Sequence, residues 1–222
     1  MCGRYQLSKS PAIWLAPLGV RDEMGGSWQP HYNITPSAEV PVVCETETGD
    51  LALRTMQWGF VPHWQQGAPR IRPINARAEE AADKPFWRQA YGQRRCLVPA
   101  TGFYEWQDTG HDKNPYLVTI AGGRPFLMAG IWDTYQGEEE PQETFAILTT
   151  RANKAMQAIH PRMPVIVPAA GAGQWIHAPA ADMTAPIAAH QVCLQPVARS
   201  INSPAFNQPP QPIEQDAKDQ EP

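Results

Sequence analysis

Cys96-Leu97-Val98-Pro99-Ala100-Thr101-Gly102-Phe103-Tyr104-Glu105-Trp106 places two short apolar runs back to back, with Gly102 at the break. Each run is too short for a helix and is rich in strand-forming side chains, so each reads as a strand. The pattern repeats downstream at Tyr116–Ile120, Phe126–Trp132 and Phe145–Thr149, punctuated by Gly110, Gly122-Gly123 and Gly137. Upstream, Val40–Cys44 and Leu51–Trp58 read as a hairpin around Thr48-Gly49-Asp50. Helices fall between these hairpins. Ser10-Pro11 reads as a cap and first helical position ahead of Trp14, Leu15 and Leu18, and Arg77–Tyr91 is helical, with Pro85 opening a second segment. Arg151–Ile159 reads as a short helix, Met163–Val167 as a strand, Ala170–Ile176 as a helix and Gln191–Val197 as a strand. Hairpins with inserted helices predict a single α+β domain over residues 2–202, mainly antiparallel sheet with a barrel-like core. From Ser203 to Pro222 the chain is rich in Pro, Gln and acid and reads as a disordered tail.

A chain of 222 residues is long enough for one domain with a substantial core. Its 42% hydrophobic and 18% charged residues are those of a soluble globular protein. No apolar run approaches the roughly 18 residues of a membrane span, and the N-terminus lacks a signal pattern, so residence in the cytoplasm is expected and no membrane partner. The four cysteines are scattered, without zinc-ligand spacing, so neither a metal nor a cofactor is expected. Cys44, Cys96 and Cys193 lie in apolar, strand-like surroundings and read as buried hydrophobes. The His-x-Glu and Pro-Cys-x-x-Cys pattern of zinc deaminases is missing.

The net charge of −4 is unevenly spread. Glu214, Asp216, Asp219 and Glu221 crowd the tail against Lys218 alone, which leaves the rest of the chain close to neutral. Between residues 70 and 95, Arg70, Arg72, Arg77, Lys84, Arg88, Arg94 and Arg95 face only Glu79, Glu80 and Asp83. Arginine outnumbers lysine, which suits bidentate phosphate contact, although an ordinary solvated face gives the same composition.

Four islands carry candidate chemistry. Met1-Cys2-Gly3-Arg4 puts cysteine where removal of Met1 would make it the N-terminus. It would then hold an amine and a thiol on adjacent carbons, with ordinary pKa values of about 7.7–8.0 and 8.5. Such an aminothiol attacks an aldehyde with both groups in turn and closes a thiazolidine. Ile74-Asn75-Ala76-Arg77 sets an amide and a guanidinium two residues apart, side by side if extended. Glu105 lies between Tyr104 and Trp106, where desolvation would raise its pKa; the alternative is the outward residue of an alternating strand. His160-Pro161-Arg162 puts an imidazole at a helix end, where it could instead cap the helix carbonyls.

Together with Tyr32-Asn33-Ile34-Thr35-Pro36, Trp58-Gly59-Phe60-Val61-Pro62, Ala78-Glu79 and Met163-Pro164, these islands resemble the SOS-response-associated peptidase family of abasic-site processing proteins. The resemblance spans residues 2 to about 200. It implies a DNA-damage-response protein that crosslinks abasic sites in single-stranded DNA through the Cys2 amine and thiol after loss of Met1. Asn75 would position the reacting groups, and Glu105 and His160 would move protons. Arg4, Arg77 and Arg162 would grip phosphates, and Trp64 would stack on an exposed base. Lyase chemistry at C2′ and autopeptidase activity are further implications, as are action as a monomer and association with the nucleoid when bound to DNA. Two other readings remain open at this point: a cysteine-thiol peptidase acting on proteins, and a non-catalytic single-strand-binding module.

Overall fold

Residues Cys96 to Ala100 are buried without a break, which requires that both faces of their strand be covered. The computed structural model describes residues 2–26, 28–137, 140–178 and 181–213. In chain order the first strands are β1 (Arg4–Leu7), β2 (Arg21–Asp22), β3 (His31–Ile34), β4 (Glu39–Glu45), β5 (Leu51–Trp58), β6 (Asn75–Arg77) and β7 (Arg95–Ala100). They are followed by β8 (Gly102–Asp108), β9 (Lys113–Ile120), β10 (Phe126–Gln136), β11 (Pro141–Arg151), β12 (Arg162–Pro164), β13 (Ile166–Val167) and β14 (Val192–Pro196). The α-helices are short: α1 (Pro11–Leu15), α2 (Ala78–Ala81), α3 (Pro85–Gln93) and α4 (Ala172–His177).

One sheet has the order β14-β9-β8-β1-β3, and the larger runs β12-β11-β10-β7-β4-β5-β2. A parallel contact of β11 with β5, at Thr144↔Gln57 and Phe145↔Trp58, joins β5, β4, β7, β10 and β11 into a closed ring. Closure removes the free edges of those strands. The strand period of two then sorts their side chains. Val42, Cys44, Met56, Trp58, Phe145 and Ile147 face an inner core shared with Tyr5 and Phe103. Val43, Leu53, Leu97, Ala146 and Leu148 face outward, beneath Trp87 of α3 and Trp175 of α4. The expected architecture, mainly antiparallel with a barrel-like core and few short helices, is the one found.

Several local expectations are corrected. Ser10 makes no side-chain cap bond; α1 is started by Pro11 alone and passes at Ala16–Leu18 into a tighter turn. Arg151–Ile159 is not a helix, because β11 continues through Arg151. The Asn153 side chain then accepts the Met156 N–H at 3.0 Å, and this local turn leaves only the short 3₁₀ segment Met156–Ala158. Met163–Val167 splits at Val165, whose N–H goes to Leu148 O at 2.9 Å, so that β12 joins β11 and β13 joins β10. Cys193 is exposed. It lies on edge strand β14, where Val192 and Leu194 take the inward positions.

The ordered chain also runs past the expected boundary at residue 202. Phe206 packs on the cluster of Tyr104, Leu117, Val197 and Ile201. Asn207 Oδ1 accepts the Tyr32 N–H at 2.7 Å, and Ile213 N–H reaches Pro196 O at 3.0 Å. The remainder of the expected tail, residues 214–222, lies outside the described residues. Phe206→Ala should therefore cost about 1–3 kcal/mol. The thermal midpoint should fall by about 2–4 °C per kcal/mol, and truncation after Asn202 should lower it further. An unchanged melting curve for the truncated chain would return residues 203–213 to the tail.

Candidate functional site

The start of the chain is drawn into the protein by β1. Its antiparallel pairing with β8 sets Arg4 opposite Tyr104 and Tyr5 opposite Phe103, and one further step brings Gly3 level with Glu105. Gly102, at the other end of this register, has no room for a side chain: a Cβ there would lie 2.8 Å from Leu117 Cδ1. Cys2 follows the strand inward and is fully buried in the inner core. Its thiol points to Arg4 O at a long 4.0 Å. Burial, and then the nearby carboxylate of Glu105, hold the thiol well above its ordinary pKa.

Asn75 reaches Cys2 from a different direction. β6 pairs in parallel with β11, Ile147 lying opposite Asn75 and Thr149 opposite Arg77. The approach to β6 is fixed by Trp58, whose ring N–H donates to Ile74 O at 2.9 Å. Asn75 Nδ2 then donates to Cys2 O at 2.9 Å. Its Oδ1 is buried and accepts no hydrogen bond among the described residues. A buried acceptor left open is uncommon and calls for an explanation.

Glu105 is 3% exposed, which excludes the outward-facing alternative. Burial raises its pKa, and the positive amino terminus and His160 oppose the rise only in part. His160 does not cap the preceding turn with its ring. Nδ1 lies 3.0 Å from both the amide nitrogen and the carbonyl oxygen of Arg162. Nδ1 accepts the Arg162 N–H in one tautomer and donates to Arg162 O in the other. Partly buried Asn75 and His160 and buried Cys2 and Glu105, far apart in sequence, thus lie at one locus.

The cationic candidates are less uniform. Arg77 is exposed and pairs with Glu80 at 3.0 Å. Arg162 is mostly buried and bound through both terminal nitrogens to Glu79, each bond 2.8 Å, and also to Thr149 O. This bond holds the Glu79 carboxyl below its ordinary range. Arg4 donates to Asn33 Oδ1 at 3.0 Å and Ile201 O at 2.7 Å, and its guanidinium lies 5.8 Å from the Trp106 ring. It braces the C-terminal segment. Trp64 stands on the excursion between β5 and β6, 50% exposed and edge-on to Phe86 at 5.9 Å.

Two neighbours of the site went unread in the sequence. Tyr5 is fully buried with no partner for its hydroxyl among the described residues, and Glu79 is the partner of Arg162. Tyr5 sits inside a quoted island, but only burial distinguishes it. The separation of 83 positions between Glu79 and Arg162 leaves no local signal.

Residues 1–204 match the family described as SOS response associated peptidase (SRAP). The abasic site processing protein YoqW of Bacillus subtilis is 29% identical, over 94% of this chain and 97% of its own. The abasic site processing protein YoaM of the same organism is 32% identical over 80% of this chain and 79% of its own. A crystal structure of a protein from Bacteroides thetaiotaomicron superposes with a TM-score of 0.82 at 24% identity, covering 92% of this chain and 97% of that one.

The buried carboxyl of Glu105 gives a stability prediction with a definite sign. Its folded-state pKa is raised, so ionisation penalises the fold as pH climbs from the ordinary carboxylate range through the raised value. Glu105→Gln removes the ionisable group and keeps the shape. It should melt higher than the wild type at pH 7, and the difference should vanish below about pH 4. Equal melting curves across that range would mean that Glu105 is not desolvated.

Proposed function

The chain belongs to the SOS response associated peptidase family, and on that premise we propose that it captures abasic sites in single-stranded DNA as a covalent thiazolidine on Cys2. The observation that carries this reading is the bond from Asn75 Nδ2 to Cys2 O at 2.9 Å, beside the buried carboxyl of Glu105. A chain end fixed in position next to an acid/base group is what an aminothiol reaction needs. The relatives' names, abasic site processing proteins, supply the substrate class.

Removal of Met1 frees the Cys2 amine. An abasic deoxyribose opens to an aldehyde at C1′, and the amine adds to that carbon. The carbinolamine loses water to give an iminium, and the thiol then adds to the same carbon as its proton leaves. The products are one thiazolidine and one water, with no redox change. The order follows from the electrostatics, since a thiol raised by burial is the weaker first nucleophile. Glu105, in its carboxylic acid form, protonates the departing hydroxyl, and its carboxylate takes a proton from the adding amine or thiol. His160 serves the ring oxygen and the reversal of the adduct. The open Asn75 Oδ1 accepts from the Cys2 amine or a sugar hydroxyl. Ring closure competes with loss of a C2′ proton from the iminium, so lyase cleavage is the side reaction that the thiol suppresses.

Arg77 and Arg162 contact phosphates flanking the lesion, Arg4 supports that face, and Trp64 stacks on a neighbouring base. The thiol-peptidase reading fares worse, because such an enzyme needs a thiolate at neutral pH and both burial and Glu105 oppose one. A purely structural binding module gives no reason to bury Glu105 against the chain's start.

Incubation of the trimmed protein with an abasic oligonucleotide should give a band that survives a denaturing gel and reducing agent. Cys2→Ala keeps an amine and should yield only an adduct trapped by borohydride. Equal stable adduct from both would exclude the thiazolidine. For intact single strands, log affinity should fall with log salt at about −0.7 per phosphate neutralised, and Arg77→Gln should make that slope shallower by one such unit. A slope unchanged by Arg77→Gln would place the phosphate contact elsewhere.

A further inference from the structure

The excursion from Gly59 to Ile74 carries Trp64 outside the sheets, where a loop ordinarily has freedom to move. It is instead pinned at three places by side chains of the β10–β11 hairpin. Thr144 Oγ1 accepts the Val61 N–H at 2.9 Å. Asp133 Oδ2 accepts the His63 N–H at 3.0 Å and lies 2.8 Å from His63 Nδ1. Tyr135 donates its hydroxyl to Gly67 O at 2.6 Å. Between the pins, the Gln65 N–H closes a turn on Pro62 O at 2.9 Å, and Trp64 stands at that turn.

The middle pin is the unusual one. Asp133 is 3% exposed, so its charge needs a partner, and Arg94 supplies it. Arg94 Nη2 donates to Oδ2 at 3.2 Å. Its Nε is 3.0 Å from Oδ1 but not aligned for a hydrogen bond, so that contact is coulombic. The Thr134 N–H takes a further site on Oδ1 at 2.9 Å. Asp133 is buried and the Arg94 side chain is 22% exposed, and a pair so placed is a weak source of stability. Here it fixes both the main chain and the ring of the residue immediately before Trp64. Phe86 supports the Trp64 edge from α3, and half of the tryptophan stays open to solvent.

We infer that Asp133, held by Arg94, is a positioning residue for DNA recognition, keeping the His63–Trp64 turn set so that the Trp64 ring is presented to a nucleobase of the bound strand. This rests on the reading of Trp64 as a base-stacking residue. A side chain already ordered loses less entropy on binding, so the benefit falls on affinity and leaves the chemical step untouched.

The test uses an intact single-stranded oligonucleotide, which cannot crosslink, with binding read by fluorescence anisotropy. Trp64→Ala should weaken binding about 5- to 100-fold. Asp133→Asn should weaken it about 3- to 10-fold, while the crosslinking rate at saturating abasic DNA stays at the wild-type value. In the Trp64→Ala background, Asp133→Asn should add less than about a twofold loss, because it acts through the ring that is gone. Fully multiplicative losses, or a lowered saturated rate, would overturn the inference. Arg94→Gln removes the guanidinium that holds Asp133 and leaves the carboxylate and its His63 contacts in place, so it carries the test if Asp133→Asn does not fold. It should weaken binding in the same direction and only where Trp64 is present; wild-type affinity would overturn the proposal. If Trp64→Ala binds intact strands as the wild type does, the inference falls, while the wild-type crosslink judges the covalent mechanism separately.

Discussion

The burial of Glu105 next to the first residues of the chain is the constraint around which the rest is arranged. A carboxyl group taken out of water resists ionisation, and its cost is reduced only by nearby positive charge or by accepting a proton. The fold supplies the first through the amino terminus and His160. That arrangement requires the N-terminal end of β1 to lie inside the protein, although chain termini usually lie at the surface. The β1–β8 pairing, the lack of space at Gly102 and the Asn75 bond to Cys2 O together bring it there.

Closure of the five-strand ring serves the same end. The contact of β11 with β5 carries Trp58 into the inner core, stacked on Phe145 at 6.4 Å and edge-on to Tyr5 at 5.4 Å. Trp58 in turn holds Ile74, and Ile74 precedes Asn75. The amide that grips Cys2 is thus positioned by an indole in the inner core, through one hydrogen bond. β11 also receives β6 and, on its other side, β12, which follows His160 and Pro161. One long strand therefore sets the distance between the amide and the imidazole.

The arginines divide by what the fold demands of them. Arg4 is engaged by carbonyls and Arg162 by Glu79, so both side chains are held in fixed positions. Arg77 is exposed beside Glu80, which Lys84 also shares. A surface pair of this kind is weak and can exchange its carboxylate for a phosphate at little cost. The sequence presents the three arginines as equals, and burial separates them.

The strand content, the β4–β5 hairpin, the two-part helical segment broken at Pro85 and the single mainly antiparallel domain were all legible in the sequence. They follow from local patterns: apolar runs, turn residues and proline stops, whose physics acts within a few residues. For Cys2, Asn75, Glu105 and His160 the sequence gives the residue types, which limit what each side chain can do. What the chain could not declare by itself was where long-range pairing would put them. Whether Glu105 faced water or core depended on which strand lay beside β8, and the ring of His160 was turned toward Arg162 by a turn that Asn153 began. The helix expected at Arg151–Ile159 and the start of the tail expected at Ser203 gave way for the same reason, residues 214–222 lying outside the described residues. A strand partner at Arg162 held residue 151 extended, and a cluster around Tyr104 gave Phe206 somewhere to pack. Local preference is set by neighbours in the chain, whereas burial is set by neighbours in space, and only the folded protein brings the second kind together.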